Sequence, residues 1–102
     1  MRIIKRKTLV TYRRRHPQAE TGLSNWYKLT KAATWTCLDD VRGTFPHADD
    51  VKVRSGRTVV VFNIAGSKYR LITALHYDCD RAYTLMVLTH AEYSKGKWKD
   101  KP

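Results

Sequence analysis

His90 and Tyr93 stand three residues apart in VLTHAEYSKGKWK (87–99), and Lys95, Lys97 and Lys99 follow around Trp98. Histidine titrates near neutrality, so it can serve as an acid or as a base. Tyrosine does so only where cations lower its pKa, as a lysine-rich surround can. Upstream, KYRLITALHY (68–77) supplies Lys68 and Arg70. A guanidinium is a planar fork that gives a phosphate two parallel hydrogen bonds. These are the parts for cutting RNA without metal: a base for the 2′-OH proton, an acid for the departing 5′ oxygen, and cations for the charged phosphorane. Each part also has a plainer reading. A strand-end histidine is commonly solvated, a tyrosine packs against a sheet edge, an arginine pairs with an acid, and a tail tryptophan docks on its domain. Spacing alone does not decide between the two.

Other chemistries find less support. There is no phosphate-cradling glycine loop, no GxSxG elbow and no HExxH. His16, His47, His76 and His90 are scattered, and no metal-ligand cluster of recognisable spacing is expected. The acid pairs Asp39-Asp40 and Asp49-Asp50 read as helix and loop signals, not as the converging carboxylates of a two-metal nuclease. No cofactor is expected. Cys37 and Cys79 form no CxxC, which favours a reduced, cytoplasmic setting. No apolar run approaches a membrane span, and the start lacks a secretory apolar core.

Charge points to a polyanion. Twenty Lys and Arg against nine Asp and Glu give +11, and the excess is clustered. Arg2, Lys5, Arg6, Lys7, Arg13, Arg14 and Arg15 all precede the first acid, Glu20, and from Lys95 onward four lysines face Asp100. Interspersed signs would suit a merely soluble surface better. Lys52, Arg54 and Arg57 in the first hairpin and His76 further on join Lys95, Lys97 and Lys99 as candidate RNA-binding residues.

These side chains need a frame, and 102 residues suffice for one domain, 1–102, with one modest core. Ile3-Ile4 reads as a short opening strand. Lys5 to Arg15 reads as a helix ended by His16-Pro17. A second helix runs from about Glu20 to Ala33, with Leu23, Trp26, Tyr27 and Thr30 as its buried stripe. Leu38 to Arg42 reads as one helical turn before Gly43 and Pro46. Strands follow at 50–54, 57–64, 68–77 and 81–89, with turns at Ser55-Gly56, Ala65-Gly66-Ser67 and Asp78-Cys79-Asp80. The expected fold is α+β in two layers: a short N-terminal strand and two helices on an antiparallel meander. Alternation in 68–77 sends Tyr69, Leu71, Thr73, Leu75 and Tyr77 toward the helices. Lys68, Arg70, Ile72, Ala74 and His76 then lie on the open face, where Ile72 fits poorly.

VVVFNIAGSKYRLITALHY followed by TLMVLTHAEYSKGKWK resembles the HigB toxin family, RelE-like toxins of type II toxin–antitoxin modules. The matching elements are Phe62-Asn63-Ile64, Gly66, Lys68, Tyr69-Arg70-Leu71 and Thr89-His90-Ala91-Glu92-Tyr93, within a similarity over roughly 36–99. The resemblance implies a RelE-like fold and an mRNA interferase: an endoribonuclease acting on translated messages, commonly in the ribosome, and silenced by a HigA antitoxin with a helix-turn-helix. It implies DNA only through the antitoxin complex; no membrane partner is expected, because the basic N-terminal segment has too few large apolar residues for a strong interfacial helix. Arg70 would hold the scissile phosphate with Lys68 assisting, and His90 and Tyr93 would be the acid–base pair, their roles undivided. Lys95, Lys97 and Lys99 would hold RNA backbone. Relatives often carry an acid where Ser94 stands, so no catalytic role is expected at 94. The alternative is a non-catalytic RNA-binding or ribosome-associated module using the same basic face.

Overall fold

The computed structural model describes residues 1–102 as four α-helices and a five-stranded sheet. In chain order these are β1 (Arg2–Ile4), α1 (Lys7–Arg15), α2 (Glu20–Ala32), α3 (Leu38–Thr44), β2 (Asp49–Lys52), β3 (Thr58–Ile64), β4 (Tyr69–His76), β5 (Arg81–Thr89) and α4 (His90–Lys95). Short 3-10 turns at Pro17–Ala19, Tyr77–Cys79 and Lys97–Asp100 complete the chain. The sheet order is β1-β5-β4-β3-β2. Strands β2 to β5 are the expected antiparallel meander. The opening strand makes the sheet mixed, because β1 pairs parallel to β5 with Ile3 opposite Ala82. Thr84, fully buried on β5, fixes that edge: its Oγ1 lies 2.6 Å from the Lys5 carbonyl and 3.2 Å from that of Ile4. Lys5 turns there with φ of 65° and lies outside the helix, which begins two residues later than the sequence reading placed it.

The helices cover one face of the sheet. Leu9 of α1 and Leu23 and Trp26 of α2 pack on Val60, Phe62 and Leu71, and the Trp26 and Phe62 rings meet edge to face at 5.5 Å. Gly22 lets α2 come this close. A Cβ there would lie 2.7 Å from Ile64 Cγ2 and 2.9 Å from the Ala65 backbone nitrogen.

The opposite face carries a second, smaller core, which accounts for the misfit at Ile72. Val53, Val59, Val61, Ile72 and Trp98 bury one another, with Met86, Leu88 and Tyr93 packed at the edge. Tyr69 and Leu71 join the helix-side core while Ile72 joins this one, so the alternation read from the sequence holds in β4. The irregularity falls on β5: Ile72 pairs with Met86 and Thr73 with Thr84, leaving Leu85 as an extra residue.

Candidate functional site

Arg70 sits on β4 directly across from Asn63 on β3 and Leu88 on β5. It is half-buried on the face away from the large helices. Its Nη1 donates to the carbonyl oxygens of Ser67 (2.6 Å) and Tyr69 (3.3 Å). Its Nη2 lies 3.3 Å from His90 Nδ1. Guanidinium has no acceptor, so a hydrogen bond across this contact runs from Arg70 to Nδ1. Nε and the second Nη2 hydrogen have no protein partner, which leaves the fork donors for two phosphate oxygens.

Helix α4 delivers both His90 and Tyr93. Thr89 begins it with a capping box: its hydroxyl accepts from the Glu92 N–H at 3.2 Å, and the Glu92 carboxylate accepts from the Thr89 N–H at 2.9 Å. The Thr-x-x-Glu spacing was legible in the sequence, which nonetheless read His90 as a strand end. The His90 N–H also donates to the Lys68 carbonyl at 2.9 Å, tying α4 to the turn before Arg70. Gly96 closes the helix at φ of 75°. The Thr89 backbone N–H holds the Glu92 carboxyl below the usual carboxylate range, with His16 and Lys95 adding to the effect. Glu92 is thus ionised and already committed to its cap.

Tyr93 meets two partners. The Arg70 guanidinium carbon lies 5.3 Å from its ring centroid. The Trp98 ring stacks at 5.3 Å and 19°. Trp98 Nε1 donates to the Tyr93 carbonyl at 3.1 Å, and Trp98 is only 5% exposed. Trp98 is therefore a docked side chain, not a free stacking platform. It straps the tail over the sheet, helped by Arg54–Asp100 at 2.6 Å and by the Arg54 N–H on the Lys99 carbonyl. Behind the site, Tyr12, His16 and Tyr69 stack and meet edge to face. Burial first, then the charge of Glu92, pushes the Tyr12 hydroxyl up to about 12, so it stays protonated.

A model of the HigB toxin family, described as the RelE-like toxic component of a toxin-antitoxin system, matches residues 19–96. The chain belongs to this family. Two similar proteins carry its name. One is the mRNA interferase HigB of Escherichia coli O6:H1 (strain CFT073), 25% identical over 93% of this chain and 90% of its own length. The other is the mRNA interferase toxin HigB of Escherichia coli K12, 25% identical over 91% of this chain and 88% of its own length.

In this HigB-family chain, Arg70, His90 and Tyr93 come together. Lys68 contributes a backbone carbonyl, while its exposed side chain makes no hydrogen bond or ion pair. Lys95 and Lys97, with Lys101, rim a cleft of about 310 Å³ floored by Met86, Leu88 and Trp98. Lys52, Arg54 and Lys99 line a neighbouring cleft of about 380 Å³. Arg57 is exposed in the loop between β2 and β3, outside both clefts. His76 ends β4 opposite Arg81, six residues and so about 20 Å from Arg70. Shared parity put it on the same face as Arg70, at the other end of the strand. Asn63, across from Arg70, was not singled out as a site residue, although it stands inside the FNI motif. No helix is long and apolar enough to cross a membrane.

Proposed function

We propose that this chain is the toxin of a type II toxin–antitoxin pair and an endoribonuclease that cleaves translated mRNA on the ribosome. Its partner would be a HigA-type helix-turn-helix antitoxin that covers the basic face. The carrying observation is the Arg70 Nη2 to His90 Nδ1 contact of 3.3 Å, with Tyr93 beneath the guanidinium. Membership of the HigB family and the names of the similar proteins support the reading.

The reaction assigned to this site is attack of a ribose 2′ oxygen on the adjacent phosphorus, breaking the bond to the 5′ oxygen. Arg70 receives the phosphate on its free donors and holds the charge that grows on the phosphorane. His90 is the acid–base group beside that phosphate: its imidazole takes the 2′-OH proton, and the imidazolium so formed gives a proton to the departing 5′ oxygen. Tyr93 supports the fork: its ring packs on both Arg70 and Trp98, and that packing favours a platform over a proton carrier. A metal route needs converging carboxylates, and Glu92 on α4 is spent on its cap. Lys95, Lys97 and Lys99, with Lys52, Arg54 and Arg57, would hold RNA backbone by sequence-independent contacts.

Expression should arrest growth, and primer extension on induced cells should show new 5′ ends within translated messages. Arg70→Ala and His90→Ala should remain folded and lose both effects. Intact transcripts during arrest would favour the non-catalytic RNA-binding module instead.

A further inference from the structure

At the end of the sheet away from Arg70, a tight turn brings together three donors from four consecutive residues, a group the sequence reading did not single out. Strand β4 ends at His76, and the chain then turns through Tyr77–Cys79 before entering β5. One atom each from His76, Asp78 and Cys79 lies within 4.8 Å of the others. We propose that these three side chains form a site for a zinc-class divalent cation, with solvent as the fourth ligand.

The donor set argues for this class. Thiolate with imidazole suits zinc and its soft neighbours, whereas magnesium and calcium favour oxygen throughout. Zinc commonly takes three protein ligands plus water in a tetrahedron, with bonds near 2.0–2.3 Å, so its ligands lie about 3.5 Å apart. Closing the present cluster takes roughly 1 Å of side-chain movement by that geometry. All three residues are exposed, so the ion has a way in, and the movement falls on the Asp78 and Cys79 side chains. On binding, the Cys79 thiol loses its proton to solvent.

The turn is already held in place. Asp80 adopts a left-handed backbone (φ 55°), and its carbonyl accepts from the Arg2 N–H at 2.8 Å. The His76 ring rests edge-on against Tyr83 at 5.1 Å, which limits its rotation. Cys79 Sγ lies 3.9 Å from the His76 carbonyl, so the thiol is folded back toward the histidine. The site is a clip between the strand end and its turn, separate from the phosphate chemistry about 20 Å away along β4.

The test is a zinc titration of the purified 102-residue chain, cleared of metal, against a competing chromophoric chelator. One equivalent should bind to the wild type and to Cys37→Ser. Loss of a supporting partner alone typically costs 10–100-fold in metal affinity, so Cys79→Ser, which removes a ligand, should weaken binding at least about tenfold. Zinc should raise the melting temperature of the wild type but not of Cys79→Ser. In the unmutated chain, zinc should slow alkylation of Cys79 while leaving Cys37 reactive. Absence of one-to-one binding, undiminished binding by Cys79→Ser, or equal protection of both cysteines would overturn the assignment.

Discussion

Replacing Trp98 by alanine tests the small core and the site together. Trp98 is 5% exposed and is the buried side chain of the tail turn Lys97–Asp100. It covers Ile72, Val59 and Val61, stacks on Tyr93 and donates to the Tyr93 carbonyl. Truncating a buried aromatic to alanine costs about 3–5 kcal/mol, and this one also forfeits a hydrogen bond of about 1 kcal/mol. We take about 4 kcal/mol as the expected loss. For a domain of this size each kcal/mol lowers the melting temperature by roughly 4–8 °C, so the fall should be roughly 16–32 °C. Trp98→Phe keeps a ring against Ile72 and loses mainly the N–H donor, so it should cost only about 1–2 kcal/mol. Thermal melts followed by circular dichroism measure both. RNA cleavage measured well below the lower melting temperature should still be reduced in Trp98→Ala, because Tyr93 has lost the surface that seats it under Arg70. A fall of less than about 5 °C would show that the tail is not docked as described, since the buried area would then be missing. A large fall with full cleavage would sever the link from Trp98 to Arg70.

Further outcomes follow from the same geometry. His90→Ala should slow cleavage about 100-fold or more, as loss of a general acid does, while Tyr93→Phe should cost less than about tenfold if the ring acts as a platform; single-turnover rates on a short RNA read both. Gly22→Ala should destabilise by about 1–3 kcal/mol, because its Cβ would meet Ile64 and the Ala65 backbone, whereas Gly43→Ala, in α3 with nothing within 4 Å, should stabilise by about 0.5–1 kcal/mol in chemical denaturation. Glu92 has a folded pKa below its unfolded value, so its contribution is present above the unfolded pKa and lost as pH falls through the folded one. Glu92→Gln should therefore flatten part of the acid limb of a stability–pH profile and leave its slope near neutrality unchanged. Lys95→Ala and Lys97→Ala should each lower the salt slope of RNA binding by about one, uniformly across sequences.

Much of the frame was legible because its signals are local. β-branched runs, the alternation in KYRLITALHY and the Leu23–Trp26–Thr30 stripe depend on neighbours in the chain, and they placed β3, β4, β5 and α2 to within a residue or two. The same alternation put Arg70 on the face away from the large helices. Helix α4 was missed although Thr89 and Glu92 announced it. After an unbroken strand pattern, the capping signal was read as the strand's end.

What local pattern could not carry is which distant segments share a surface. Ile72 looked misplaced because its cover, Trp98, lies 26 positions further on and arrives only when the tail folds back. His76 shares parity with Arg70, but parity fixes a face and not a position along the strand, and His76 stands at the far end of β4 from Arg70. The edge strand β1 finds β5 across almost the whole chain. Residue types and periodicity by themselves determined the elements, the basic character and the side of the sheet on which chemistry could stand. The tertiary structure decided that Arg70, His90 and Tyr93 form one group, because a locally capped helix meets a β4–β5 register and a buried tryptophan there, and the register and the tryptophan's cover over Ile72 join residues that the sequence keeps apart.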